Sequence, residues 1–317
     1  MSFAVFTQEL NRLEQVILEN KNDLTRVIIL PRHGAALHAI IIQTPDGDVN
    51  LVDQYEDGET LKIESGISFK GSKLSPFPCK TNNGRYTYNL NQYEFEHKQR
   101  DGSAIHGLLY NKAFKVVDVF CDDHQAAVRL KYIYNSDDAG YPFTYRCEVY
   151  YTLLPENLVS VETTIINLDD ITIPLADGWH PYFKLGGRLD DWLMRVKAES
   201  VVELDIKGIP TGRVISYTDF MEETSLHGAE LNHCFIVKTT DQYAACTLYN
   251  PITGLSVSVF PDESYPYLLV FTAPHRESIA VESLSAPPDH LNNYMGTILL
   301  APRHSKTFTV HYKIIKE

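Results

Sequence analysis

Four stretches between positions 114 and 166 constrain the fold of this chain most: 114–120, 126–132, 143–151 and 158–166. Each alternates apolar with polar residues at a period of two, the spacing of a strand with one face in a core and one in water. Turn-forming clusters separate them, at 135–140 (NSDDAG) and 155–157 (PEN). Long alternating strands at such short intervals predict antiparallel sheets stacked as a sandwich. Further strands are expected at 26–30, 37–42, 49–52, 193–196, 200–204, 234–237, 245–249, 255–260, 267–271 and 307–314, with a hairpin over 85–96. Positions 10–19 read equally as a short helix or as part of two edge strands. Positions 53–84, rich in Gly, Ser, Pro and Asn, read as a long irregular stretch whose Phe69 and Phe77 mark an ordered loop on the rim of a site. Helical periodicity is nearly absent, and no repeat or linker divides the chain, so one domain over 1–317 is expected.

The formal charge of −13 excludes nucleic acid or an anionic membrane as an expected partner. The five cysteines are odd in number and widely spaced, which predicts neither a disulfide framework nor a structural zinc site. No apolar run is long enough to cross a bilayer. The first residues carry no leader pattern, so a cytoplasmic chain acting as a monomer or homodimer is expected.

Chemistry concentrates at residues 178–183 (GWHPYF). Trp179, Tyr182 and Phe183 cannot all share one face of a strand, so some should line a cavity containing His180. A histidine held there can exchange a proton near neutral pH, and aromatic walls suit a sugar ring. Taken alone, the stretch fits a structural histidine in an aromatic cluster better than a catalytic one. Other candidates are His106, followed by Gly107, and Glu282, a carboxylate interrupting the apolar strand 279–284. Burial there would raise the Glu282 pKa and favour a general base, although an outward-facing glutamate fits as well. Lys80, Asn82 and Asn83 form a polar cluster suited to hydroxyls or a phosphate, or simply a surface loop. Asn232 opens a strand at a rim or a turn. His106, His180 and Glu282 are a chemically acceptable metal set, but no spacing supports one, and no cofactor is expected.

In this order the chain resembles the aldose 1-epimerase (galactose mutarotase) family. The resemblance is carried by residues 71–78 (GSKLSPFP), 84–86 (GRY), 105–107 (IHG), 141–143 (YPF), 180–183 (HPYF), 282–288 (ESLSAPP) and 299–302 (LLAP). It implies an all-β fold, a large antiparallel supersandwich, with a free sugar bound in a cleft on one sheet. It implies His180 as general acid and Glu282 as general base in opening and reclosing the sugar ring between its α and β anomers, without metal or cofactor. His106 would contact the sugar, and Tyr182 is counted with it. Lys80 stands where the family usually has arginine and Asn232 where it usually has aspartate, which implies an altered grip on the sugar. Three other readings stay open. One is a hexose-6-phosphate 1-epimerase with Lys80, Lys73 and Arg85 clamping the phosphate. Another is a binding or regulatory protein without catalysis, and the last a metal enzyme using His106, His180 and Glu282. The acid–base reading expects His180 and Glu282 to face each other across a cleft with room for a sugar ring between them.

Overall fold

The computed structural model describes residues 1–239 and 242–316. Two large sheets dominate. The nine-stranded sheet runs in the order Lys115–Cys121, Ala126–Asn135, Thr144–Leu154, Leu158–Asn167, Ser305–Lys316, Leu255–Pro261, Cys246–Asn250, Leu193–Val196, Thr224–Ser225. Its first four strands are the alternating stretches of the sequence, joined as an antiparallel meander. In Thr144–Leu154 the alternation is used as expected: Tyr145, Cys147, Val149, Tyr151 and Leu153 are buried, while most residues between them are only partly covered. The edge strand Lys115–Cys121 departs from it, with no residue fully buried.

The other large sheet runs Pro210–Ser216, Ser200–Leu204, Asn232–Ile236, Tyr267–Thr272, Ile279–Leu284, Gly178–His180, Ser72–Leu74, with Tyr182–Phe183 also pairing with Ile279–Leu284. The two sheets meet through aromatic side chains. Trp179 packs edge-on against Tyr151 with ring centroids 5.8 Å apart, and Phe183 packs on Tyr312 at 5.5 Å. This is the antiparallel β-sandwich expected of the chain. A five-stranded sheet from Phe3–Leu10 to Gly47–Asn50 flanks them.

One open expectation is resolved in favour of strands, and another needs correction. The start of the chain is a strand pair, Phe3–Leu10 with Leu13–Asn20. It turns at Asn11 and Arg12, whose φ angles of 52° and 62° carry no glycine signature. Positions 53–84 are not irregular throughout, since Gly58–Ser68 is an α-helix. Asp57 caps it, its carboxylate accepting from the backbone N–H groups of Glu59 and Thr60 at 3.0 and 2.8 Å. Only Gly58 and Leu61 are buried along it, so it shows no apolar stripe that periodicity could detect. Among the described residues, no helix is long and apolar enough to cross a membrane.

Candidate active site

The Gly178–His180 strand lies between Ile279–Leu284 and Ser72–Leu74, with Gly178 opposite Leu284 and Trp179 opposite Ser283. Continuing that register sets His180 across from Glu282. Strand alternation then sorts the aromatics. Trp179 and Phe183 point into the sandwich, and the Trp179 indole N–H donates to Thr163 Oγ1 at 3.2 Å. His180 and Tyr182 point to the other face, with their rings 5.0 Å apart. Trp179 and Phe183 are therefore core, and Tyr182 is cavity wall.

His180 Nε2 stands 3.3 Å from Glu282 Oε1, and both side chains are at least 95 % buried. The strand carrying Glu282 is buried along its whole length, so the carboxylate does not face water. His180 Nδ1 and Glu282 Oε2 have no hydrogen-bond partner among the described residues. Burial disfavours the charged form of each group. It pushes the His180 imidazolium down to about 4 and the Glu282 carboxyl well above the carboxylate range. The expected gap for a sugar ring between them is absent. Directly opposed residues on paired strands bring their side chains into contact, so a ligand must lie over the pair rather than between its members.

His106 closes a third side. Its ring meets that of His180 edge-on, with centroids 4.7 Å apart, and packs on Phe69 at 4.7 Å. The loop carrying it is tied to Cys79. His106 N–H donates to Cys79 O at 2.9 Å, and Cys79 N–H donates to His106 Nδ1 at 3.3 Å. A neutral ring accepting at Nδ1 must carry its proton on Nε2. Burial, then the neighbouring His180 and Lys80, hold the His106 pKa well below its usual value. His106 thus offers an N–H donor. The ligand atoms of His106, His180 and Glu282 lie within 4.8 Å of one another, but this tautomer presents a hydrogen where a metal would need a lone pair.

Gly107 makes that loop possible. Its φ is +74°, and a Cβ would fall 2.3 Å from Ser75 O. Gly107→Ala is expected to cost about 1–3 kcal/mol of stability, measurable by thermal denaturation, and to displace His106.

These groups line a pocket of about 280 Å³. Phe69, the residue ending the Gly58–Ser68 helix in a left-handed conformation, forms one wall. Leu269, opposite Glu282, and Phe271, opposite Asn232, form another. Sequence reasoning placed Phe69 on a rim but missed Leu269 and Phe271, which read there as ordinary strand residues. Lys80 and Asn232 both border the pocket. Asn232 is exposed at the start of its strand. Lys80 is already engaged, its ammonium donating to Asp101 Oδ2 at 2.7 Å and to the Lys207 carbonyl at 2.8 Å.

The phosphate clamp drawn from sequence does not assemble. Lys73 is fully buried and bonded to Asp177 and to the Gly178 carbonyl. Arg85 pairs with Glu94 at 2.8 Å on a different depression of the surface. Of the three cations, only Lys80 reaches the pocket.

A family model described as aldose 1-epimerase matches residues 14–313. The chain is 27 % identical to the protein YihR of Escherichia coli K12 over 246 residues, covering 75 % of this chain and 76 % of that one. A galactose mutarotase-like protein from Clostridium acetobutylicum superposes with a TM-score of 0.84 at 15 % identity, covering 100 % of this chain and 99 % of that one. Galactose 1-epimerase from Lactobacillus acidophilus does so with a TM-score of 0.80 at 19 % identity, covering 99 % and 98 %.

Proposed function

Because this chain belongs to the aldose 1-epimerase family, we propose that it interconverts the α and β anomers of a free aldose, with Glu282 as general base and His180 as general acid. The observation that carries this reading is the buried pair itself: Nε2 and Oε1 lie 3.3 Å apart in one pocket. O1 and O5 of a cyclic aldose are both bonded to C1. A sugar lying over the pair can therefore meet Glu282 with O1 and His180 with O5 at once.

Glu282 takes the proton from the O1 hydroxyl as protonated His180 gives one to O5. The C1–O5 bonding pair passes to O5, and the O1–H pair becomes the carbonyl bond. Rotation about C1–C2 turns the other aldehyde face toward O5, and reclosure reverses both transfers. The dyad holds one proton throughout. In the reactive arrangement it is carboxylate and imidazolium; after opening it is carboxylic acid and neutral imidazole. Burial favours the second, uncharged arrangement. It is also the resting arrangement, so the proton must pass from Glu282 to His180 before a ring can open. The His106 Nε2–H serves as a donor to a sugar oxygen, and Tyr182 and Phe69 supply apolar surface for the ring.

The pH dependence follows from the one-proton requirement. Below about 4, His180 binds a proton while Glu282 still holds its own, and no base is left. Above the raised Glu282 value both groups are unprotonated, and no acid is left. The profile of kcat/KM is expected to show an acid limb well below the ordinary histidine value of about 6.5. Polarimetry of wild-type protein in matched buffers measures it. An acid limb near 6.5 would assign the titration to a solvated histidine and remove His180 from this role.

A further inference from the structure

We propose that Asp101 sets the charge selectivity of the pocket, holding Lys80 so that the site takes uncharged aldoses and turns away sugar phosphates and uronates. This rests on the reading of the pocket as a sugar site and narrows its substrate class. Three segments meet at the pocket mouth. The Lys80–Thr81 strand pairs with Ala104–Ile105, Asp101 lies just before that second strand, and Lys207 lies between Ser200–Leu204 and Pro210–Ser216.

The Lys80 ammonium joins all three through Asp101 Oδ2 and the Lys207 carbonyl. Asp101 is itself fixed in place. Its Oδ1 accepts from the Ser103 hydroxyl at 2.6 Å and the Ser103 N–H at 3.0 Å. Lys80 first, and then Ser103, hold its carboxyl below the usual range. One carboxylate oxygen is thus committed to Ser103 and the other to Lys80, and Asp101 does not itself line the pocket.

An anionic sugar reaching Lys80 must displace a carboxylate already oriented for it. Inside the pocket its charge would also lie beside Glu282 and repel that group's ionised form. A neutral sugar meets neither obstacle, because hydroxyls can share an ammonium that keeps its counter-ion.

The test is calorimetric binding of a panel of aldoses and their 6-phosphates and uronates to wild type, Asp101→Asn and the double variant Lys80→Met/Asp101→Asn. Each protein is scored by its ratio of neutral to anionic affinity. Lys207 also borders the pocket, but it is common to all three proteins and cancels in the comparison. Wild type is expected to prefer the neutral sugar at least tenfold. Asp101→Asn should shrink that preference at least tenfold, less so as salt is raised, and the double variant should return toward wild type. An unchanged ratio in Asp101→Asn, or an effect that persists without Lys80, would overturn the inference. Binding is read without turnover, so a failure to interconvert anomers leaves this result standing, whereas absence of binding by every sugar would sink both readings.

Discussion

Replacing Glu282 by glutamine is expected to slow anomer interconversion by about 10²–10⁴-fold, the usual contribution of a positioned general base. Glutamine keeps the shape of the side chain and can still hydrogen-bond to a sugar hydroxyl. It cannot take the O1 proton. Because the carboxyl sits in a buried strand with one oxygen on His180 Nε2 and the other without a partner among the described residues, an uncharged amide should leave the fold and sugar binding largely in place. The loss should therefore fall on kcat rather than KM. His180→Asn is expected to lose a similar factor, and the double variant little more than either single one, since the two groups act as one proton relay. A Glu282→Gln protein retaining activity within tenfold of wild type would show that the carboxylate is not the base.

The second large effect lies behind the dyad. Lys73 and Asp177 form an ion pair with both side chains at 0 % exposure. The Lys73 ammonium also donates to the Gly178 carbonyl at 3.0 Å and stands 4.2 Å over the Trp179 ring. Asp177 receives the Tyr265 hydroxyl at 2.6 Å. Its backbone N–H donates to Ser285 Oγ at 2.8 Å, and its carbonyl accepts from Ser285 N–H at 2.9 Å. The pair thus ties the strand bearing His180 to both neighbours, the Lys73 strand and the strand bearing Glu282.

Burial pushes the Lys73 pKa down and the Asp177 pKa up, each opposed by the charge of the other. Removing one partner strands the other as an uncompensated charge. Lys73→Met or Asp177→Leu is expected to cost about 3–5 kcal/mol, on the order of 10 °C in Tm for a chain of this size. The double variant should recover much of that stability, because a well-packed apolar pair needs no compensation. Thermal denaturation followed by circular dichroism decides it. Single variants within about 1 kcal/mol of wild type would mean that the interior there is wetter than the fold implies.

How much of this was legible in the sequence depended on how local the signal was. The strand Thr144–Leu154 announced itself, because every second side chain had to be apolar to cover the other sheet. The Gly58–Ser68 helix did not, since it buries almost nothing and carries Gly and Ser within it. Lys73, between Ser72 and Leu74, looked like a surface cation available for a phosphate; its partner is 104 positions away. The pairing of His180 with Glu282 was carried by ordered motifs resembling a family. No spacing rule links two residues that meet only through strand register. The same register explains why they touch instead of flanking a sugar.

The most direct measurement is proton NMR of freshly dissolved crystalline α-anomers, across a panel of aldoses, with and without purified protein. Anomer exchange for at least one sugar should rise linearly with protein concentration above the buffer rate, and the increment should vanish with Glu282→Gln. Sugars that bind in the pocket yet equilibrate no faster than in buffer would contradict the acid–base account and leave a binding site without catalysis.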